Sequence, residues 1–225
     1  EEAIKMLGAS ISISGGDEDI TVSVNTLSRN FEKTLALVEE MLLQPRWDEE
    51  QFAINKTRIV NTLKRNKANP NYLAGVTFDS LVLGKDNILS KSASGTEASV
   101  ESIAMDDLKA FYKKAISPSL SDFMIVGDVD KARVEKALTS LTSNWKSEDV
   151  SIPGLTFPPT PDKSSVFFVD VPGAKQSVIQ IGYMGLPRSH PDFYKAETAN
   201  YMLGGGASAR LFMILREEKG YTYGA

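Results

Sequence analysis

Small or polar residues alternate with apolar ones twice near the start of the chain, over Ala9-Ser10-Ile11-Ser12-Ile13-Ser14 and Ile20-Thr21-Val22-Ser23-Val24-Asn25, with Gly15-Gly16-Asp17-Glu18-Asp19 between them. A period of two puts the apolar residues on one face of a strand, so this stretch predicts an antiparallel hairpin. Residues 1–7 ahead of it read as helix. After it the period changes: Phe31, Leu35, Val38, Met41 and Leu42 recur at three- and four-residue steps up to Pro45. That spacing predicts an amphipathic helix, with Ser28 or Asn30 as its cap. A further helix opens at Trp47-Asp48-Glu49-Glu50 and carries Phe52, Ile59 and Leu63. It is expected to run out near Asn69-Pro70, since the residue before a proline is pushed away from helical geometry.

Residues 77–83 read as helix and 84–95 as loop. Thr96-Glu97-Ala98-Ser99-Val100 then leads through Met105-Asp106-Asp107-Leu108 into a helix ending near Ala115. The apolar run within Asp122-Phe123-Met124-Ile125-Val126-Gly127-Asp128-Val129 predicts a buried strand with a turn, and a helix from Lys131 to Leu141 closes the unit at Trp145. From 146 to 164 the composition shifts to Pro, Ser and Asp, with Pro153, Pro158, Pro159 and Pro161, and Pro172 after one more strand. Such a run is a semi-extended linker. Beyond it, residues 166–170 and 177–183 read as strands, 191–203 as a helix, Gly204-Gly205-Gly206 as an interruption and 208–218 as helix again. The order of elements predicts the α+β class, an antiparallel sheet backed by helices. It divides into a first domain over 1–146, a linker over 147–164 and the first half of a second, similar domain over 165–225. Because the chain opens inside a helix and stops where a strand would begin, it reads as a fragment.

Composition adds mainly exclusions. With 225 residues, 42% of them hydrophobic, the chain is long enough to bury one generous core or two smaller ones. Its apolar stretches are strand-sized, well below the roughly 18 residues a membrane helix needs, so no membrane segment is expected. The absence of cysteine excludes disulfides and thiolate metal sites. It leaves the compartment of a soluble protein open, the bacterial periplasm or cell envelope among the candidates. A net charge of -4 with mixed signs lacks the basic stripe of a nucleic-acid platform.

Three stretches carry a resemblance. The first is Leu7-Gly8-Ala9-Ser10 with the hairpin and Leu35-x-x-Val38-x-x-Met41-Leu42-Leu43-Gln44-Pro45. The second is Gly95-Thr96-Glu97, Asp107-Leu108-x-x-Phe111-Tyr112 and Val126-Gly127-Asp128-Val129. The third runs from Leu203-Gly204-Gly205-Gly206-Ala207-Ser208-Ala209-Arg210-Leu211-Phe212 into Leu215-Arg216-Glu217-Glu218-Lys219-Gly220-Tyr221-Thr222-Tyr223. In this order they resemble the pitrilysin/insulinase family of zinc metallopeptidases, which includes the mitochondrial processing peptidases. The resemblance implies paired α+β domains around a chamber. It also implies a zinc held by His-x-x-Glu-His on a helix preceding Leu7-Gly8-Ala9, with a third, glutamate ligand further on.

The zinc motif is not in this sequence, whose one histidine is His190, in a loop before a helix. By the same resemblance the third-ligand position falls on Asn61, or on Thr62 if the register slips by one, and a neutral amide or hydroxyl is a poor ligand for zinc. The expectation is therefore no metal site here and zinc bound outside this region in the intact enzyme. In the family the opposite half completes each active site with an arginine and, seven positions later, a tyrosine, and Arg216 and Tyr223 stand at that spacing. Such donors stabilise the oxyanion of a tetrahedral transition state, each contributing about 2.7–4 kcal/mol. The bland alternative is a helix-end Arg216 paired with Glu217 or Glu218 and a tyrosine opening a strand; Tyr221 is a rival for the tyrosine role. Gly204-Gly205-Gly206 lacks the strand and Lys-Ser/Thr of a phosphate loop and suits a hinge or channel lining instead. Asp17-Glu18-Asp19 lacks calcium-site spacing and reads as a hairpin tip.

These readings predict the non-catalytic half of a zinc-dependent metalloendopeptidase. It would be inactive alone and would supply Arg216 and Tyr223 to a peptide substrate held by a catalytic half, in the same chain or in a partner subunit. The alternative is a structural subunit or inactive homologue of the same family.

Overall fold

Strands β1 (Ser10–Gly15) and β2 (Ile20–Asn25) pair antiparallel, with Ile11 opposite Val24, Ile13 opposite Val22 and Ser12 opposite Ser23. The register thus sorts the apolar pairs to one face and the hydroxyls to the other, as the alternation predicts. A computed structural model describes the whole chain except residues 17, 147–149, 153, 156, 159–162 and 225. Asp17 of the hairpin tip and linker prolines 153, 159 and 161 therefore lie outside the described residues. The chain divides into two compact units, one of residues 1–158 with 165–180, the other of 159–164 with 181–225.

In the first unit, helix α1 (Glu2–Met6) leads into the hairpin, and α2 (Phe31–Leu43) follows it. Asn30 sits at the N-cap of α2 without capping it; its side-chain amide instead donates to the Leu7 carbonyl at 2.8 Å. Thr34, 1% exposed, shares a 2.8 Å hydroxyl contact with Thr26 and donates to the Asn30 carbonyl, so this buried polar group is satisfied. Helix α3 (Glu49–Asn66) is capped by Asp48, which accepts from the Gln51 N–H at 3.0 Å, with acids in its first turn and bases in its last.

Asn69-Pro70 is a start as well as a stop. Asn69 accepts from the N–H groups of Asn71 and Tyr72, Pro70 takes the first helical position, and α4 (Pro70–Leu83) begins seven residues earlier than the predicted 77. A reciprocal box between Thr96 and Ser99 opens α5 (Glu97–Ser102), and the Asp107 carboxylate accepts from the Ala104 N–H ahead of α6 (Met105–Ala115). Val60 and Leu63 of α3 pack with Val100 of α5 to form a small core. A Lys67–Glu97 ion pair of 2.5 Å borders it. Tyr112 of α6 donates to the Leu42 carbonyl and meets Trp47 edge-on at 5.5 Å; its burial raises the phenol pKa. Helix α7 (Lys131–Asn144) is fastened to α2 by Arg133 on Glu32 and by Ser140 and Asn144 on Glu39.

Three expected strands are not formed. Residues 122–129, 166–170 and 177–183 join no ladder among the described residues, where the sheet has two strands, β1 and β2. Met124 is 90% and Val126 101% exposed, and Val166, Phe168 and Ile181 are exposed too. A hydrophobic run reports a segment suited to burial, but a ladder needs a neighbour to receive its N–H and C=O groups.

The second unit holds helix α8 (Phe193–Gly204), a short α9 (Arg210–Phe212) and a π-helical turn, Met213–Glu218. Lys195 pairs with Asp192 in the first turn of α8 at 2.6 Å, and Ala209 is buried.

Candidate functional site

The π turn is the structure's principal departure from the expected regular helix over 208–218. Its backbone bonds reach one residue further than in an α-helix: the Lys219 N–H donates to the Ile214 carbonyl. The Tyr221 N–H then reaches back to the Leu215 carbonyl at 2.8 Å. Wide turns of this kind concentrate at functional sites. Gly220, at φ +66, turns the chain immediately afterwards in a conformation that side-chain-bearing residues rarely adopt.

Arg216 lies within this turn. Its guanidinium carbon stands 4.8 Å from the centre of the Phe212 ring, a stacking contact within cation–π range. Its carboxylate partner among the described residues is Glu217, at 3.6 Å, while Glu218 is taken by Lys219 at 2.7 Å. The side chain is 45% exposed. The pairing with Glu217 that the bland alternative expects is thus present but long, and it leaves most guanidinium N–H groups uncommitted. Phe212 belongs to the third stretch that carries the resemblance; its contact with Arg216 has one sequence signal, a position four residues earlier, the spacing at which helical side chains meet.

Tyr223 is 86% exposed, in a tight turn where the Thr222 hydroxyl donates to the Gly224 carbonyl at 2.7 Å and accepts from the Gly224 N–H. Tyr221 is exposed as well, but its backbone is tied into the end of the π turn. Both phenols are therefore free to meet a ligand.

The glycine run ahead of α9 has a packing reason. A Cβ on Gly205 would lie 2.6 Å from Cγ and 2.7 Å from Cα of Tyr201, closer than real side chains stand. Gly205 thus lets the end of α8 close against Tyr201.

The implied third zinc-ligand position does not fit a metal. Asn61 and Thr62 are on the exposed side of α3. The Thr62 hydroxyl donates to the Arg58 carbonyl and accepts from the Arg65 guanidinium, both at 3.0 Å. The Arg65 guanidinium at Thr62 opposes a cation, and neither candidate supplies an anionic oxygen. Among the described residues no group of three or more His, Asp or Glu side chains could hold a metal ion. His190 is an exposed turn residue whose Nδ1 accepts from the Asp192 N–H at 3.1 Å. At the hairpin tip, Asp19 accepts from the Thr21 hydroxyl at 2.9 Å. Among the described residues no helix is long and apolar enough to cross a membrane.

Comparison with known proteins places these features in a family. Residues 102–225 match the family described as "Peptidase M16 inactive domain". An uncharacterized zinc protease of Rickettsia bellii is 25% identical over 227 residues, covering 99% of this chain and 53% of the relative. The non-peptidase homolog YmxG of Helicobacter pylori is 23% identical, over 99% and 51%. A probable inactive metalloprotease of Bacillus subtilis, YmfF, is 22% identical, over 86% and 46%. The chain therefore spans about half the length of the curated relatives it matches. Among solved structures, the peptidase M16 inactive domain of Pseudomonas fluorescens superposes with a TM-score of 0.80 at 23% identity, over 99% of this chain and 54% of that one. A protease from Helicobacter pylori superposes at 0.75 and 19% identity, over 100% and 54%. The fold is thus that of the inactive domain, and the chain belongs to the peptidase M16 inactive domain family.

Proposed function

We propose that this chain is the non-zinc-binding half of a metalloendopeptidase, and that Arg216 and Tyr223 hydrogen-bond a peptide held by a catalytic half, in the same polypeptide or a partner subunit. The observation that carries the proposal is the state of Arg216. It is stacked on Phe212, held on a π turn, and left with a 3.6 Å ion pair that leaves most of its donors free. A guanidinium oriented but unsatisfied is suited to receive a carbonyl oxygen as charge develops on it. The phenol of Tyr223 supplies a second donor from a turn that holds its backbone. The zinc-protease names of several relatives support the reaction class. The metal in this reading belongs to the other half, since the position on α3 lacks the chemistry to hold one.

A second reading, an assembly subunit without hydrolysis, draws support from relatives named a non-peptidase homolog and a probable inactive metalloprotease. Peptide cleavage separates the two. The catalytic half is assayed on a quenched fluorescent peptide with and without this chain. Chelator-sensitive cleavage that requires the chain is expected. Cleavage that is indifferent to it would overturn the proposal, and no cleavage with both halves present would leave the assembly reading standing.

A further inference from the structure

Between Glu50 and Asp79 the chain carries five cations, Lys56, Arg58, Lys64, Arg65 and Lys67, and no carboxylate, although the protein as a whole has a net charge of -4. Two of the five are engaged inside the unit: the Lys56 ammonium donates to the Ile103 carbonyl at 2.7 Å, and Lys67 meets Glu97 at 2.5 Å. One face of α3 gives Val60 and Leu63 to the small core. Along the face turned away from it, Ile54, Arg58, Asn61 and Arg65 follow one another at steps of four, three and four residues, the spacing that sets helical side chains in one line. All four are exposed, Ile54 by 51%.

Neutral groups hold both guanidiniums of this line. Arg58 Nη2 donates to Asn55 Oδ1 at 2.9 Å, and Arg65 Nη2 to the Thr62 hydroxyl at 3.0 Å. Asn55 is in turn fixed by its amide on the Gln51 carbonyl, and Thr62 by its hydroxyl on the Arg58 carbonyl. Neither arginine has a carboxylate partner among the described residues. We infer that the Ile54, Arg58, Asn61 and Arg65 face of α3 docks an acidic peptide segment that carries an apolar side chain beside its carboxylates. Arginines seven residues apart on an α-helix are separated by about 10.5 Å along its axis, the length of about three extended peptide residues, so one run of Asp or Glu reaches both. Each guanidinium fork can take a carboxylate through two bonds. Asn61, between them, has a donor and an acceptor to offer a peptide bond. Ile54 decides the class of occupant, because an apolar side chain in the line gives a peptide something to cover and gives a phosphate backbone nothing. Two cations on an acidic protein are also few for a nucleic acid, whose binding rests on neutralising many phosphates. This inference does not depend on whether Arg216 meets a substrate.

Fluorescence anisotropy tests it, using the polypeptide that the gene encodes and a labelled peptide of one leucine followed by a run of glutamates. The same peptide with glutamine at every glutamate should bind at least about tenfold more weakly. Arg58→Gln combined with Arg65→Gln should weaken the glutamate peptide by at least about the same tenfold factor. Asn61→Glu, which sets a carboxylate within reach of Arg65, should compete with the peptide and weaken it too. Lys64→Gln combined with Lys113→Gln removes as much charge from exposed positions off the line, and should leave binding within about twofold. Equal losses in the two double variants would mean general attraction between charges and would overturn the docking surface, as would failure of the glutamate peptide to bind at all. Ile54→Ser should weaken the leucine peptide about threefold and leave a peptide with glycine in place of leucine unaffected. A silent Ile54→Ser, or oligothymidylate bound as tightly as the peptide, would reduce the face to a bare anion site and sink the peptide assignment.

Discussion

Two arginines of this molecule sit over phenylalanine rings beside a glutamate, and they are bonded differently. Arg133, over Phe31 at 5.8 Å, gives Nε and Nη2 to the Glu32 carboxylate at 2.6 and 2.8 Å and Nη2 also to the Ser28 carbonyl. Its donors are committed to joining α7 to α2. Arg216, over Phe212 at 4.8 Å, has Glu217 at 3.6 Å and little else. Arg133 has the satisfied donors of a structural arginine; Arg216 is oriented by stacking and otherwise left open, which is what the proposed role in binding a ligand calls for. The same contrast separates Thr62, whose hydroxyl is absorbed by Arg58 and Arg65, from Tyr223, whose phenol faces solvent.

The largest effect that this contrast predicts is on catalysis. In the assembled enzyme, Arg216→Ala should lower kcat/KM on a fluorescent peptide about 100- to 1,000-fold, equivalent to about 2.7–4 kcal/mol of transition-state stabilisation, with little change in Tm. Tyr223→Phe should reproduce part of the loss, and Tyr221→Phe should be nearly silent. Should Arg216→Ala lower Tm and leave kcat/KM untouched, Arg216 is an arginine of the Arg133 kind and the comparison collapses.

Next comes packing around the site. Gly205→Ala brings a Cβ within 2.7 Å of the Tyr201 backbone, which cannot swing aside as a side-chain tip can. A loss of about 1–3 kcal/mol is expected from overpacking. Chemical denaturation checks it, and an unchanged midpoint would mean that the glycines are a free hinge.

How much of this was legible in the sequence follows from which partners each residue needs. The β1–β2 register could be read from alternation because both strands are local and one face is uniformly apolar. The start of helix α4 is not legible because Asn69-Pro70 signals a stop to the helix before it and a start to the helix after it, and the sequence alone does not say which applies. The composition of residues 122–129 calls for burial, yet Met124 and Val126 are exposed, because an apolar run does not name the neighbour that would receive it. Arg216 and Tyr223 stand out in the sequence only because their seven-residue spacing matches what the resemblance implies. The π turn does not, since a bond reaching one residue further has no composition of its own; Gly220 is its nearest trace. Asn61 offers no anionic oxygen on its chemistry alone, while the Arg65 guanidinium beside its neighbour Thr62, which opposes a cation, is visible only in the structure.

Acid should weaken the committed arginine's seam. Bonding to Arg133 lowers the Glu32 carboxyl from 4.5 to about 2. A depressed folded-state pKa gives stability that is fully present above the unfolded value and lost as pH falls through the folded one, here between 4.5 and about 2. Glu32→Gln should therefore lower Tm at neutral pH, and the gap from wild type should close toward the acid end of that window. The effect is modest, because solvent screens a half-exposed pair. A gap constant with pH would mean that the carboxylate charge does not hold α7 to α2.

The smallest effect belongs to α3, where the comparison is sharpest chemically. Asn61→Glu restores a carboxylate at the position the family resemblance gives to a zinc ligand. Four residues before Arg65 on an exposed helix, it should be drawn into an ion pair and stabilise α3 by about 0.2–0.5 kcal/mol. Calorimetric titration of the variant with zinc should show no stoichiometric binding, because one carboxylate beside the Arg65 guanidinium is not a metal site. Tight zinc binding would mean that Arg65 can swing away and that one substitution separates this surface from a metal centre. A small rise in the denaturation midpoint without zinc binding would instead mean that a carboxylate at position 61 is taken by Arg65, and that a metal site on α3 needs more than one substitution.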